Sequence, residues 1–230
     1  MLKYEDLTPL VISFPLGAIE YDVTTRYGPT NLAEEVPDSR QVLKLTKRLL
    51  PKLGIALSDL DKKEDGSGPE FHVLNSETDY YVNHTTITNI QERGVSFRRA
   101  VDGASFLGAG TGGNGNIWFG DHGKIIKIDL SWRNLERHQS YPTVTVEAMI
   151  NSIREGKAVQ GWLRADSIGI DWPTVKSVTI KGTWPCYDAG DPLNRSDWLH
   201  PFAALSTTVD TGRGNVEVEI DCPIIDEPKP

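Results

Sequence analysis

Two short segments with apolar residues along one side constrain the fold of this 230-residue chain more than any other feature. Residues 39–53 begin with a capping-box pattern, Asp38 followed by Gln41, and residues 144–155 follow Pro142. Apolar residues recur at helical spacing in both: Val42, Leu45 and Leu49 in the first, and Val146, Met149, Ile150 and Ile153 in the second. Because a one-sided helix buries its apolar stripe against another layer, we expect each helix to lie on a sheet.

The segments that follow each helix alternate between apolar and polar residues, which is typical of β-strands. The chain contains 21 Gly and 14 Pro residues, which indicates many turns. The predicted strands are residues 95–101, a hairpin of 116–119 and 124–133, and then 175–181, 202–209 and 216–220. The order, helix then strands, occurs twice. We therefore predict an α+β fold made of two helix-on-antiparallel-sheet units packed as one compact protein.

The predicted units are residues 1–140, with an N-terminal strand segment, and residues 141–230, with one continuous domain as the alternative. A net charge of −8 disfavours a nucleic-acid partner, which needs clustered Lys and Arg. No run approaches the ~20 apolar residues of a membrane span. The glycine-rich run 108–113 satisfies G-x-G-x-x-G, but a strand pattern follows where a dinucleotide site needs a helix. We expect a loop there, and neither cofactor nor metal.

The compartment is indicated by weak signals. Cys186 and Cys222 both lie in strand-like segments, so a disulfide and two buried thiols are both compatible with the sequence. N-x-[ST] tripeptides begin at Asn83 and Asn194, which is typical of secreted proteins. The first residues lack the apolar core of a signal peptide. A mature secreted chain and a cytosolic chain are both compatible with these signals, and of the two we favour the secreted protein.

The stretch from Val95 to Gly108 resembles the central strand pair of PepSY-type modules, which occur in thermolysin-type propeptides and bacterial secreted regulators. Arg99 stands four positions before Gly103, as a polar residue does in those modules, and residues 121–125 supply the later hairpin. The resemblance departs from the pattern at Arg99, where propeptides usually have an amide. It implies a cystatin-like fold, one helix across a curved antiparallel sheet, and binding of a protein or peptide rather than catalysis.

Arg99 is the first candidate ligand-binding residue, since alternation places it on the apolar face of its strand with Val95 and Phe97. A charge on that face must be paired. Two interpretations follow from the pattern. Arg99 either forms a structural ion pair, or it binds an anionic ligand in a concave sheet.

Tryptophans make the second group of candidates, because indole rings stack on the apolar faces of sugars. Four lie within 37 residues: Trp162, Trp172, Trp184 and Trp198. Core packing beneath loops is the other interpretation. Under the alternative hypothesis, an enzyme or binder acting on a carbohydrate or small molecule, the acid–base groups would be Glu155, Asp166 and Asp171.

Overall fold

The first helix, α1, spans Ser39–Leu49 and forms as the sequence predicts. The Asp38 side chain accepts a hydrogen bond from the backbone N–H of Gln41, and the Gln41 side chain accepts one from the N–H of Asp38. The chain then tightens into a 3₁₀ turn, Leu50–Leu53, because Pro51 has no N–H to continue the α-helical pattern. Gly54 ends the segment in the left-handed conformation, with φ of 79°.

The second helix, α2, spans Val146–Arg154, slightly shorter than the predicted 144–155. Thr145 caps it, its hydroxyl accepting a hydrogen bond from the N–H of Ala148. Neither described helix is long and apolar enough to cross a membrane.

The structure is a computed structural model that describes residues 10–13, 18–22, 35–82, 84–107, 113–136, 140, 142–155, 159–160, 172–188, 199 and 201–225. The chain divides into two compact units: Met1–Gly103 with Ala109–Asn134, and Ala104–Gly108 with Leu135–Pro230. The predicted boundary between residues 140 and 141 stays a prediction. The described residues are mostly strand with two α-helices, so the fold class is α+β.

The first sheet has six strands in the order β1-β2-β8-β7-β4-β3, and all its pairs are antiparallel. Its strands are β1 (Leu10–Ser13), β2 (Ala18–Asp22), β3 (His72–Val82), β4 (Thr85–Arg98), β7 (Asn114–Phe119) and β8 (Ile125–Ser131). The predicted hairpin of residues 116–119 and 124–133 is confirmed as β7 and β8. Strand β7 starts two residues earlier than predicted, and β8 starts one residue later and ends two residues earlier. The long hairpin of β3 and β4 was not predicted.

The second sheet has the order β5-β6-β10-β11-β12-β9. Its strands are β5 (Ala100–Val101), β6 (Ala104–Leu107), β9 (Val159–Gln160), β10 (Ser177–Asp188), β11 (Pro201–Asp210) and β12 (Asn215–Pro223). The three strands predicted between residues 175 and 220 are confirmed as β10, β11 and β12. One pair departs from the predicted antiparallel arrangement, because β6 runs parallel to β10.

Each helix packs on one face of its unit's sheet. In the first unit, Val42 and Leu50 of the α1 segment pack in a buried cluster with Val95, Phe97 and Ile117. In the second unit, the half-buried side chains of α2, Met149 and Ile153, pack on a second cluster: Ala203, Leu205, Ile220 and Cys222. The predicted helix-on-sheet packing is therefore present in each unit.

The two cysteines are buried thiols, not a disulfide. Cys222 pairs with Ala203 across the sheet and packs on the α2 side, whereas Cys186 pairs with Phe202 and packs on the opposite side with Ala204. Adjacent residues of a strand point to opposite faces, so the two thiols lie on different faces with β11 between them. That geometry is incompatible with the short Cβ separation a disulfide needs.

Two glycines let aromatic rings lie flat on the first sheet, one on each face. Gly115 pairs with Phe97 on the α1 side, and Gly94 pairs with Trp118 on the opposite side. A Cβ on Gly115 would overlap the ring of Phe97, and one on Gly94 would lie 2.7 Å from the indole of Trp118. Phe97 is fully buried, whereas Trp118 is only half-buried. The alternation of β7 is therefore complete, with Gly115, Ile117 and Phe119 buried.

We predict that Gly115→Ala destabilises the protein by about 2 kcal/mol, because the buried ring of Phe97 has nowhere to move. Gly94→Ala is the matched control, since the half-exposed indole can swing toward water, and its loss should be clearly smaller. Urea unfolding of the two variants measures both. Equal losses would contradict the assigned register of β4 and β7.

Candidate binding surface

Arg99 lies where β4 leaves the first sheet, and its contacts are mainly with the segment after β8. Its Nη1 donates a hydrogen bond to the backbone carbonyl of Arg133. The guanidinium carbon lies 5.2 Å from the centre of the Trp132 ring, within cation–π range. Trp132 in turn packs against Phe97 with 6.2 Å between ring centres. Arg99 therefore sits on the α1 side of the strand, as the alternation predicts.

Burial lowers the pKa of Arg99, and the negative charge of Asp59 partly opposes that effect. The side chain nonetheless stays charged, because an arginine titrates far above neutral pH. The backbone carbonyl of Arg133 and the face of Trp132 contact the cation, and the charge of Asp59 favours its charged form. These contacts favour the structural interpretation of Arg99 over the anion-binding one.

We predict that Arg99 and Trp132 are energetically coupled. In a double-mutant cycle with Arg99→Met and Trp132→Leu, the coupling free energy from urea unfolding should be about 0.5–2 kcal/mol. The matched control replaces Arg99→Met with Arg98→Met, whose exposed side chain should show no coupling to Trp132. A coupling of zero for Arg99 would mean that the stacking contributes nothing to stability.

Of the predicted tryptophans, Trp184 is the one whose side chain is described, and it is 38 % exposed. It lies in β10 opposite Ala204, on the sheet face turned away from α2. On the same sheet, Lys181 and Glu217 form a 2.6 Å ion pair, and Thr208 donates a hydrogen bond to Glu217. These two hydrogen bonds lower the pKa of Glu217. Trp162, Trp198 and the side chain of Trp172 lie outside the described residues.

The predicted acid–base groups are not brought together in the described part of the chain. Glu155 is exposed at the C-terminal end of α2, and Asp166 and Asp171 lie outside the described residues. Among the side chains that the structure describes, no group of three or more His, Cys, Asp or Glu could hold a metal ion.

An open depression lies beside the loop of residues 61–70, lined by Lys63, Glu64, Asp65, Glu70 and Phe71. Hydrogen bonds from Ser67 lower the pKa of Asp65, so this carboxylate is ionised at neutral pH and does not supply a proton. Asp65 is therefore not suited to act as a general acid at neutral pH.

The surface that sequence reasoning missed is the face of the first sheet opposite α1. The strand register aligns the residues of this face in rows that run across the strands. All of these residues except Gly94 are half-buried or exposed. Trp118 lies at the centre, its indole over Gly94. We call this surface the polar face, and its rows are Leu74, Gly94, Trp118, Lys127 and Asp22; His72, Ser96, Asn116, Asp129 and Glu20; and Arg98, Asn114, Ser131 and Ala18.

Carboxylates dominate the charge of the polar face. Asp22, Glu20 and Asp129 are joined by Glu92, which lies two residues before Gly94 on the same strand. Lys127 lies 3.7 Å from Asp22. Burial raises the pKa of Glu92, repulsion by Asp22 raises it further, and Lys127 partly opposes both. The polar face is thus a mainly acidic sheet surface around one indole.

No known protein family and no curated protein sequence matches this chain. The assignment of a site therefore rests on the geometry of the chain itself.

Because the pKa of Glu92 is raised, the free energy of unfolding should depend on pH in a specific way. A carboxyl group whose pKa is higher in the folded state favours folding below its unfolded pKa, near 4.5, and loses that contribution as pH rises through the folded pKa. Glu92→Gln should therefore gain stability relative to the wild type between acidic and neutral pH. Urea unfolding at several pH values measures this difference. Exposed Glu77→Gln is the control, and a pH-independent difference for Glu92→Gln would contradict the assigned environment.

Proposed function

We propose that this protein is a secreted, non-catalytic binding module whose protein or peptide partner docks on the polar face of the first sheet. The observation that carries the proposal is the half-exposed indole of Trp118 at the centre of that face, surrounded by hydrogen-bonding and acidic side chains. Secretion rests on the two N-x-[ST] tripeptides at Asn83 and Asn194.

The shape and chemistry of the polar face fit a macromolecular partner. Small ligands bind in concave, mostly apolar pockets, whereas this surface carries mainly polar and charged side chains on one side of a sheet. Protein interfaces commonly centre on an aromatic anchor with polar groups around it. Because Glu20, Asp22, Glu92 and Asp129 outnumber Lys127 and Arg98, electrostatic complementarity favours a partner segment with Lys or Arg.

The finer fold assignment is part of the same proposal. A PepSY-like or cystatin-like unit has one helix across one face of a curved antiparallel sheet. The packing of α1 on the first sheet and of α2 on β12 supports two such units. The proposed bounds, residues 1–140 and 141–230, differ from the compact units in that residues 104–108 and 135–140 group with the second one. The parallel pair of β6 and β10 is a departure from that pattern.

A carbohydrate ligand is the second candidate, favoured by Trp184. Its exposed indole lies close to Gly182. The neighbouring strand carries small residues beside it, Ala204 and Ser206, so no large side chain stands next to the ring on that strand. An exposed ring beside carboxylates and hydroxyls is a surface on which a sugar could stack and hydrogen-bond. If that ligand were a substrate, Asp166 and Asp171 would remain the acid–base candidates, whereas Glu155 ends α2, which packs on the other face of this sheet.

The two proposals predict different probes and different residues. The wild-type chain, screened against a random peptide display library and a glycan array, should enrich peptides rich in Lys and Arg. For a synthetic peptide from that screen, Trp118→Ala should raise the Kd at least tenfold, since truncating an aromatic anchor costs more than about 1.4 kcal/mol. Trp184→Ala should leave the peptide Kd unchanged.

Charge reversal supplies a control that leaves the core untouched. Glu20→Lys places a positive charge on the polar face at an exposed position, and Glu64→Lys makes the same change in the exposed loop. Only Glu20→Lys should weaken peptide binding. If neither Trp118→Ala nor Glu20→Lys changes the Kd of the peptide, the peptide does not bind on the polar face and the proposal is wrong. If the protein binds a glycan and Trp184→Ala abolishes that binding, the second candidate is correct instead.

A further inference from the structure

The outward side of α1 carries a row of positive charges in a chain whose net charge is −8. Residues 39–58 contain five Lys or Arg residues and no Asp or Glu. We call these five exposed residues the basic stripe, and they are Arg40, Lys44, Lys47, Arg48 and Lys52. The rest of the chain therefore has an even larger excess of negative charge than the net value indicates.

Helical spacing arranges these charges in a line. Arg40, Lys44 and Arg48 recur every four residues, so they are about 6 Å apart along the helix axis. Lys52 continues the same spacing into the 3₁₀ turn, which makes the stripe about 18 Å long. The buried side of α1, with Val42, faces the core of the first unit. The stripe is therefore a narrow surface on the side of the helix turned away from the sheet.

The described residues do not neutralise the basic stripe. Positive charges four residues apart on a helix repel each other, and Arg40 also lies in the first turn, where the helix dipole disfavours a cation. Among the described residues, no carboxylate forms an ion pair with any residue of the stripe. Lys47 lies 5.5 Å from the centre of the Phe71 ring, a contact that leaves its charge in place. An anionic partner would relieve the repulsion within the stripe.

An acidic protein segment fits the stripe better than other polyanions do. In an extended strand, the side chains on one side recur about every 6.6 Å, close to the spacing of the stripe. A nucleic acid or a membrane extends past the stripe and faces the negative charge of the rest of the chain. An amphipathic helix binds lipid through its apolar side, and that side of α1 is buried. The stripe also contains no aromatic ring on which a base would stack.

We propose that the basic stripe of α1 binds an extended acidic segment of a partner protein, with Glu or Asp at alternate positions. Because α1 packs on the side of the first sheet opposite the polar face, the two surfaces favour segments of opposite charge on opposite sides. The affinity should fall as salt is added, since the contacts are between exposed charges. This inference does not depend on the function proposed for the polar face.

Fluorescence anisotropy at low ionic strength tests the proposal with the full chain. The labelled probe is a peptide of about eight residues in which Glu and Thr alternate, long enough in the extended form to cover the stripe. Unlabelled competitors are the same peptide, an oligothymidylate, a heparin oligosaccharide, and vesicles of phosphatidylcholine and phosphatidylserine. The wild type should bind the peptide, and raising the ionic strength to about 0.15 M should weaken the binding.

Two pairs of substitutions separate the stripe from the overall charge. Arg40→Gln with Lys44→Gln should raise the Kd of the peptide about fivefold. The melting temperature should not fall, because the change relieves repulsion along α1. Arg213→Gln with Lys176→Gln, at exposed positions of the second unit, gives the same net charge and should leave the Kd unchanged. Trp118→Ala should also leave it unchanged, so failure of this proposal is distinct from failure of the polar face.

Three results would overturn the proposal. The first is a wild type that does not bind the peptide, or a Kd that changes equally in the two double variants. The second is displacement of the probe by less oligothymidylate, heparin or vesicle than unlabelled peptide, which would assign the stripe to that class of polyanion. The third is self-association of the wild type in sedimentation velocity that Arg40→Gln with Lys44→Gln abolishes, which would make the polar face of a second copy the occupant.

Discussion

The pairing of β4 with β7 is the interaction on which the first unit depends. Phe97 lies over Gly115 on the α1 side, and Trp118 lies over Gly94 on the other. Each ring occupies the space that a side chain on its partner would need, so the two pairs fix the register from opposite faces. If the pairing of β4 shifted by one residue, Phe97 would move to the solvent side of the sheet. The polar residues of β4 would then lie beneath α1.

The two faces of the first sheet acquire different roles from this register. The α1 side is a buried cluster that includes Val95, Ile117 and Phe119, and it supplies the apolar burial that stabilises the unit. The opposite side has no helix on it within the described residues and presents Trp118 among carboxylates and amides. Strand β4 then continues past its pairing with β7 and stays paired with β3 as far as Thr85.

Much of the fold could be predicted because its signals are local. Capping residues and helical spacing indicated both helices, and alternation placed Arg99 on the core side of its strand. The long hairpin of β3 and β4 was missed because residues 85–91 of β4 are mostly Thr, Asn and Gln and show no alternation of apolar and polar residues. The polar face was missed for a different reason: its residues come from β2, β4, β7 and β8, and only the register brings Trp118 beside Lys127. The tryptophans singled out from the sequence were those that lie close together along the chain, and Trp118 is not among them. Of that group, Trp184 alone has a described side chain.

The proton chemical shifts of the two glycines test this account most directly. An aromatic ring stacked on a glycine shields its α-protons, so the Hα resonances of both Gly94 and Gly115 should lie well upfield of their unfolded positions in the NMR spectrum. Trp118→Leu should return the Gly94 resonances alone to ordinary values, and the Gly115 resonances should stay shifted because Phe97 still covers them. Unshifted Hα resonances in the wild-type protein would contradict the register, and with it the division into a buried face and the polar face.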